Sequence, residues 1–188
     1  MNRQFSTAWT VHRFLTDRSI PYVIIGGLAV QRWGNPRFTR DVDVTVLLPP
    51  GKEEPLLREI IAVFPPRGPE GVSFALANRV LLVRVPGGSE VDISLGLPGY
   101  EESVVARAVP HDLGEERVVQ LCSAEDLLIH KCLAGRAIDV LDIEGIVVRQ
   151  HESLDVDYIR RWLRTFAGLT DDPEVPQRFE RAWAQRAN

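Results

Sequence analysis

Asp41 and Asp43 stand one residue apart in the run RDVDVTVLL, which follows the apolar run YVII and the glycine pair Gly26-Gly27. Alternate side chains of a strand share a face, so both carboxylates point one way while Val42, Val44 and Val46 take the other. At two strand steps their alpha carbons lie about 6.6 Å apart. Acids so placed repel each other unless a cation lies between them. Their oxygens can converge on one magnesium ion or on a pair about 4 Å apart; the alternative is two solvated acids on an edge strand. A third acid, Asp92, alternates with Val91, Ile93 and Leu95 in EVDISL and so occupies the polar face of another strand. Three converging carboxylates can hold two magnesium ions, Asp92 also deprotonating an attacking hydroxyl in an in-line displacement. Glu90 shares that face and is the rival for this role.

Gly26 and Gly27 let a ligand approach the main chain closely, and a helix starting at Leu28 would offer free amides to a phosphate. A tight turn that needs glycine only for steric reasons is the other reading. Lys131 follows Leu127 and Leu128 by four and three positions, which puts an ammonium on an apolar helical stripe. Asp139 and Asp142 fall on the same side of the next helix as Ile138, Ile143 and Ile146, while Glu144 points away. A structural ion pair between Lys131 and one of these acids is one reading; a part in binding a triphosphate is the other, and both can hold.

Gly26-Gly27, Asp41-Val42-Asp43 and Asp92 together resemble the DNA polymerase beta superfamily of nucleotidyltransferases. More narrowly, Gly-Gly-x-Ala, Arg37-x-Thr39-x-Asp41-x-Asp43, Lys131 and AIDVLDIEGI resemble the minimal nucleotidyltransferases grouped with abortive-infection (AbiEii-type) toxins. The similarity spans about Tyr22 to Val147. It implies an α+β fold: a polymerase-beta-like palm, a small mixed sheet with flanking helices, over 1–122, then a C-terminal helical bundle over 123–188. It further implies a magnesium-dependent enzyme, with two Mg2+ ions, that transfers a nucleoside monophosphate from a nucleoside triphosphate to a hydroxyl. Asp41, Asp43 and Asp92 would hold metal, with Asp92 the general base, and Lys131 would contact the triphosphate. Gly26, Gly27, Thr39, Arg40 and Asp142 would complete the nucleotide site. The acceptor could be an RNA end, a protein or a small molecule such as an aminoglycoside, and a cognate antitoxin is the implied partner. One departure stands out: fourteen positions separate Gly27 from Asp41, and the connection includes Pro36. A second function class is a retained fold without catalysis that binds a partner.

Elements must position these groups. Helical spacing is expected over Ser6–Asp17, Leu28–Trp33 and Glu53–Phe64, the last with Leu56, Leu57, Ile60 and Ile61 on one stripe. Strands are expected at Tyr22–Ile25, Asp41–Leu48, Val72–Leu76, Val80–Val85, Glu90–Leu95, Val104–Val109 and Arg117–Leu121, with a turn at Pro49-Pro50-Gly51. From Ser123, which with Asp126 forms a capping-box-like start, helices are expected over Ala124–Ala134, Arg136–Gln150, Asp155–Phe166 and Pro173–Gln185.

The 188 residues, 45% hydrophobic and 26% charged, suffice for one good-sized domain or a core with a helical appendage. A net charge of −4 argues against a general nucleic-acid coat, although Arg160, Arg161, Arg164, Arg178, Arg181 and Arg186 form a basic stretch, either a local basic surface or a solvated helix face. Cys122 and Cys132 lack zinc-ligand spacing and read as reduced, packed thiols. No signal peptide or membrane span can be drawn, so the expected location is the cytoplasm. Trp9, Trp33, Trp162 and Trp183 read as core rather than as stacking platforms.

Overall fold

A computed structural model describes residues 2–49, 51–69 and 71–186. The chain divides into two compact units, Met1–Leu28 with Phe38–Cys122, and Ala29–Arg37 with Ser123–Asn188. The fold is α+β, with six strands in one mixed sheet and nine helices among the described residues.

The first unit opens with helix α1 (Arg3–Thr16), started by the Asn2 side chain, which accepts from the Gln4 amide, and buried along Ala8, Val11, Phe14 and Leu15. Strand β1 (Tyr22–Ile25) runs into α2 (Gly26–Trp33), and β2 (Asp41–Val46), α3 (Glu53–Val63) and α4 (Gly71–Asn78) follow. Next come β3 (Val80–Arg84), β4 (Glu90–Leu95), α5 (Tyr100–Ala106), β5 (Val109–Asp112) and β6 (Val118–Leu121). The strand order is β3-β4-β2-β1-β6-β5. The β2–β4 and β1–β6 pairs are parallel and the others antiparallel.

The pleat sorts side chains as the sequence pattern requires. Val42, Val44 and Val46 of β2 and Val91 and Ile93 of β4 are buried in the core with Leu57 and Ile60 of α3. The acids occupy the opposite face of the same two strands.

Two predicted strands are corrected. Val72–Leu76 lies in α4, with Ala75 buried and Phe74 and Leu76 each 39% exposed. A short apolar run has no period that separates strand from helix, and here one buried side suffices for a helix. The first half of Val104–Val109 lies in α5, whose start is tied by the Glu102 carboxylate accepting from the Gly99 amide at 3.0 Å; the strand is displaced to Val109–Asp112. Helix α2 begins at Gly26, two residues earlier than expected, and so takes in the glycine pair. The predicted turn at Pro49-Pro50-Gly51 includes Pro50, outside the described residues.

The second unit consists of residues 29–37 with α6 (Ala124–Ala134), α7 (Ala137–Gln150), α8 (Val156–Thr170) and α9 (Glu174–Gln185). Ser123 caps α6 by accepting from the Asp126 amide at 3.1 Å, and Gly135 ends it in the left-handed conformation, φ +60°. Ile138 is exposed, contrary to its expected place beside Asp139, because the buried stripe of α7 runs through Asp139, Asp142, Ile143, Ile146 and Val147. Three of the six C-terminal arginines are paired with acids: Arg160 grips Glu180 with two bonds, Arg178 reaches Asp172, and Arg181 reaches Glu174. These three are held by acids and are not available to a basic patch. Both cysteines are buried thiols.

Candidate functional site

In the first unit β2 and β4 run parallel in a register that aligns Asp41 with Glu90 and Asp43 with Asp92. Side chains aligned across a sheet share a face, so the three aspartates converge. Each is half-buried and offers a carboxylate oxygen within 4.8 Å of the others. The donor set is oxygen only and anionic, which fits a hard divalent cation such as magnesium and not a thiolate-seeking metal.

The long connection from Gly27 to Asp41 does not hold the glycine turn away. Ile25, the last residue of β1, pairs with Asp43, so Gly26 arrives beside that carboxylate. Its φ is +63°, and a Cβ built there would lie 1.9 Å from Asp43 Oδ2. Glycine is therefore required twice, by conformation and by space. A Cβ on Gly27 would lie 2.6 Å from Thr39 Oγ1. Thr39 is buried and donates to Asp41 Oδ1 at 3.0 Å, which orients that carboxylate. Arg40 is exposed and lines a hollow of about 440 Å³ with Phe38, Arg3, Arg84 and Glu90.

Sequence reasoning missed Arg67. Its amide donates to Leu82 O at 2.9 Å while Arg84 N donates to Pro65 O, so residues 65–67 pair along the outer edge of β3. Leu82 is in turn aligned with Asp92. Arg67 therefore reaches Asp92 on the acid face, bonding Asp92 Oδ1 through Nη2 and Glu90 Oε2 through Nη1 at 2.9 Å. Arg84 holds the other Glu90 oxygen at 2.7 Å. No local signal marks Pro65-Pro66-Arg67; only the pairing of an edge segment brings it in.

These contacts set the charges. Burial pushes Asp92 above the usual carboxylate range, opposed by the Arg67 guanidinium and reinforced by Asp41 and Glu90. Glu90 is held below that range by hydrogen bonds from Arg84 and Arg67. Glu90 is thus committed to two arginines, and Asp92 is the acid that faces Asp41 and Asp43. Beside Arg67 a second hollow, about 320 Å³, is lined by Phe74, Leu82, Pro69 and the glycines at 68 and 71.

The second unit contains the other predicted residues, and the ion pair is present there. Lys131 Nζ lies 2.8 Å from both Asp139 Oδ1 and Asp142 Oδ2, with its side chain only 5% exposed. Asp142 also takes a bidentate grip from Arg37 at 2.8 Å on each oxygen, and Asp139 takes Arg136 Nε at 2.6 Å. Two buried carboxylates are thus shared among three cations. Burial pushes both acids up, yet the hydrogen bonds from Arg37 or Arg136 and from Lys131 outweigh it and leave each below its ordinary value. The parts of Arg37 and Arg136 in this network were not legible in the sequence.

No protein-family model and no curated protein matches the sequence. Among solved structures, the chain is similar to an antigenic nucleotidyltransferase-like protein from Paracoccidioides brasiliensis, with a TM-score of 0.55 and 19% identity over 94% of this chain and 91% of that one. It is also similar to the antibiotic-resistance factor ANT(2'')-Ia, with a TM-score of 0.52 and 15% identity over 89% of this chain and 93% of the other. The fold is nucleotidyltransferase-like. Within that fold the three aspartates lie on two adjacent parallel strands, with the glycine turn against Asp43.

Proposed function

We propose that this protein is a nucleotidyltransferase that moves a nucleoside monophosphate from a nucleoside triphosphate to a hydroxyl. The carrying observation is the convergence of Asp41, Asp43 and Asp92 within 4.8 Å beside the backbone of Gly26. Likeness in fold to a protein named nucleotidyltransferase-like supports the same reading. In this reading the three carboxylates hold magnesium, which offsets charge on the phosphates. The bare backbone at Gly26 and Gly27, with Thr39 and Arg40 alongside, accommodates the triphosphate. The acceptor oxygen bonds to the α-phosphorus, the bond from that phosphorus to the bridging oxygen breaks, and pyrophosphate leaves. The hydroxyl proton passes to Asp92, whose burial favours taking it up. Lys131 and Asp142 serve by fixing α6 and α7 through their ion pairs.

The acceptor classes are an RNA end, a protein and a small molecule such as an aminoglycoside. The AbiEii-type reading adds a cytoplasmic toxin paired with an antitoxin, tested by growth arrest on expression and its relief by a neighbouring reading frame. The direct experiment incubates the protein and Asp92→Asn with magnesium and each α-labelled triphosphate, against total RNA, protein extract and an aminoglycoside. Label transfer by the wild-type protein and not by the variant is expected. No transfer to any acceptor, with no triphosphate binding, overturns the proposal.

A further inference from the structure

Strand order decides from where a molecule can approach the three aspartates. In the order β3-β4-β2-β1 the glycine turn closes on Asp43 from the β1 side, and β3 flanks Asp92 on the opposite side. An in-line displacement brings the attacking oxygen in opposite the leaving group. With the phosphates at the glycine turn, the acceptor therefore enters from β3. The hollow of about 320 Å³ lies there. Leu82 of β3 is aligned with Asp92, shares its face and lines the hollow. Arg67 lines it too and bonds Asp92 Oδ1 through Nη2, so one guanidinium joins the hollow to the acid that takes the hydroxyl proton.

The walls say what chemistry fits. Phe74, Leu82 and Pro69 are apolar, Gly68 and Gly71 present bare backbone, and Arg67 is the polar side chain among the described lining residues. A phenyl ring, aliphatic carbons and a guanidinium all favour the face of an aromatic ring. A sugar or polyamine would instead lay several hydroxyl or ammonium groups against walls that offer them few partners, and an ammonium would meet the Arg67 charge. We propose that this hollow is the acceptor subsite and that it takes a phenol, one hydroxyl on an aromatic ring, either free or as a tyrosine side chain. This rests on the nucleotidyltransferase reading. The phenol oxygen bonds to the α-phosphorus, the bond from that phosphorus to the bridging oxygen breaks, pyrophosphate leaves, and the phenolic proton passes to Asp92.

The test uses p-cresol and N-acetyltyrosinamide as probes, their binding followed by saturation-transfer NMR. With magnesium and each α-labelled triphosphate, label transfer to both is compared with transfer to RNA and to an aminoglycoside. Gly68→Trp is the blocking variant: a Cβ on Gly68 meets nothing within 4 Å, so the new side chain starts in open space. Phe74→Ala removes the aromatic wall from an exposed position. Wild type is expected to bind and label at least one phenol, and each variant to bind it at least tenfold more weakly. Label on p-cresol points to a free phenol, and label on N-acetyltyrosinamide alone to a tyrosine side chain. Binding of neither phenol by wild type overturns the proposal, as does undiminished binding by variants with native circular dichroism. Label on RNA or the aminoglycoside and on neither phenol also overturns it and leaves nucleotidyl transfer standing. No transfer to any acceptor, with no triphosphate binding, removes the proposed function and this inference together.

Discussion

Gly26 carries two constraints in one residue. Alanine there would have to hold φ near +63°, costing about 1–2 kcal/mol, and its methyl would overlap the Asp43 carboxylate. Gly26→Ala is expected to lower the melting temperature and to weaken Mn2+ binding at least tenfold, read from a thermal melt and from a Mn2+ titration followed by loss of the free-ion resonance; unchanged binding would mean that Asp43 is not a ligand. Lys131 has a different kind of importance. Its removal leaves Asp139 and Asp142 buried with less compensation, and Lys131→Met is expected to cost about 3–5 kcal/mol in urea unfolding. Both acids are held below their ordinary values in the folded state. Their stabilising contribution is therefore complete above the unfolded carboxylate value of about 3.9 and is lost as pH falls through the folded values. Unfolding free energy measured from pH 7 to pH 2 is expected to fall on the acid side, and Asp142→Asn should flatten that fall.

Caps and pairings decide the elements. Ser123 accepts from Asp126 N and donates to its carboxylate at 2.9 Å, so Ser123→Ala is expected to destabilise by about 1 kcal/mol, read by urea unfolding. At this scale the sequence was most legible where a cap or an alternation was strong. The start of α6, the strands at Tyr22–Ile25 and Glu90–Leu95, and the polar faces that carry Asp41 with Asp43 and, separately, Asp92 could be read directly, whereas the β2–β4 pairing that joins those faces could not. Segments 72–76 and 104–109 were misread because short apolar runs satisfy either period and their tertiary neighbours choose. Arg67 escaped notice for a different reason: Asp92 lies twenty-five positions further on and is reached only because residues 65–67 pair with the edge of β3, a relation that no local pattern encodes.

For the whole molecule, the division into units has a consequence of its own. Residues 29–37 belong with the C-terminal helices, and Arg37 supplies the bidentate partner of buried Asp142. A fragment of residues 123–188 would therefore carry a buried acid short of one cation. It is expected to show weaker helical ellipticity and a broader melt than the same residues bearing 29–37 through a short linker; equal melts would mean that the segment contributes little. Among the described residues no helix is long and apolar enough to cross a membrane.

The two cysteines bear on how such measurements can be made. Cys122 and Cys132 are both buried, and burial raises the Cys132 thiol to about 12, so its reactive thiolate form is scarce at neutral pH. Maleimide reagents should leave the native chain unlabelled. A cysteine introduced at an exposed position such as Phe38 would then be the single handle for a dye or spin label, and no wild-type thiol would need replacing first.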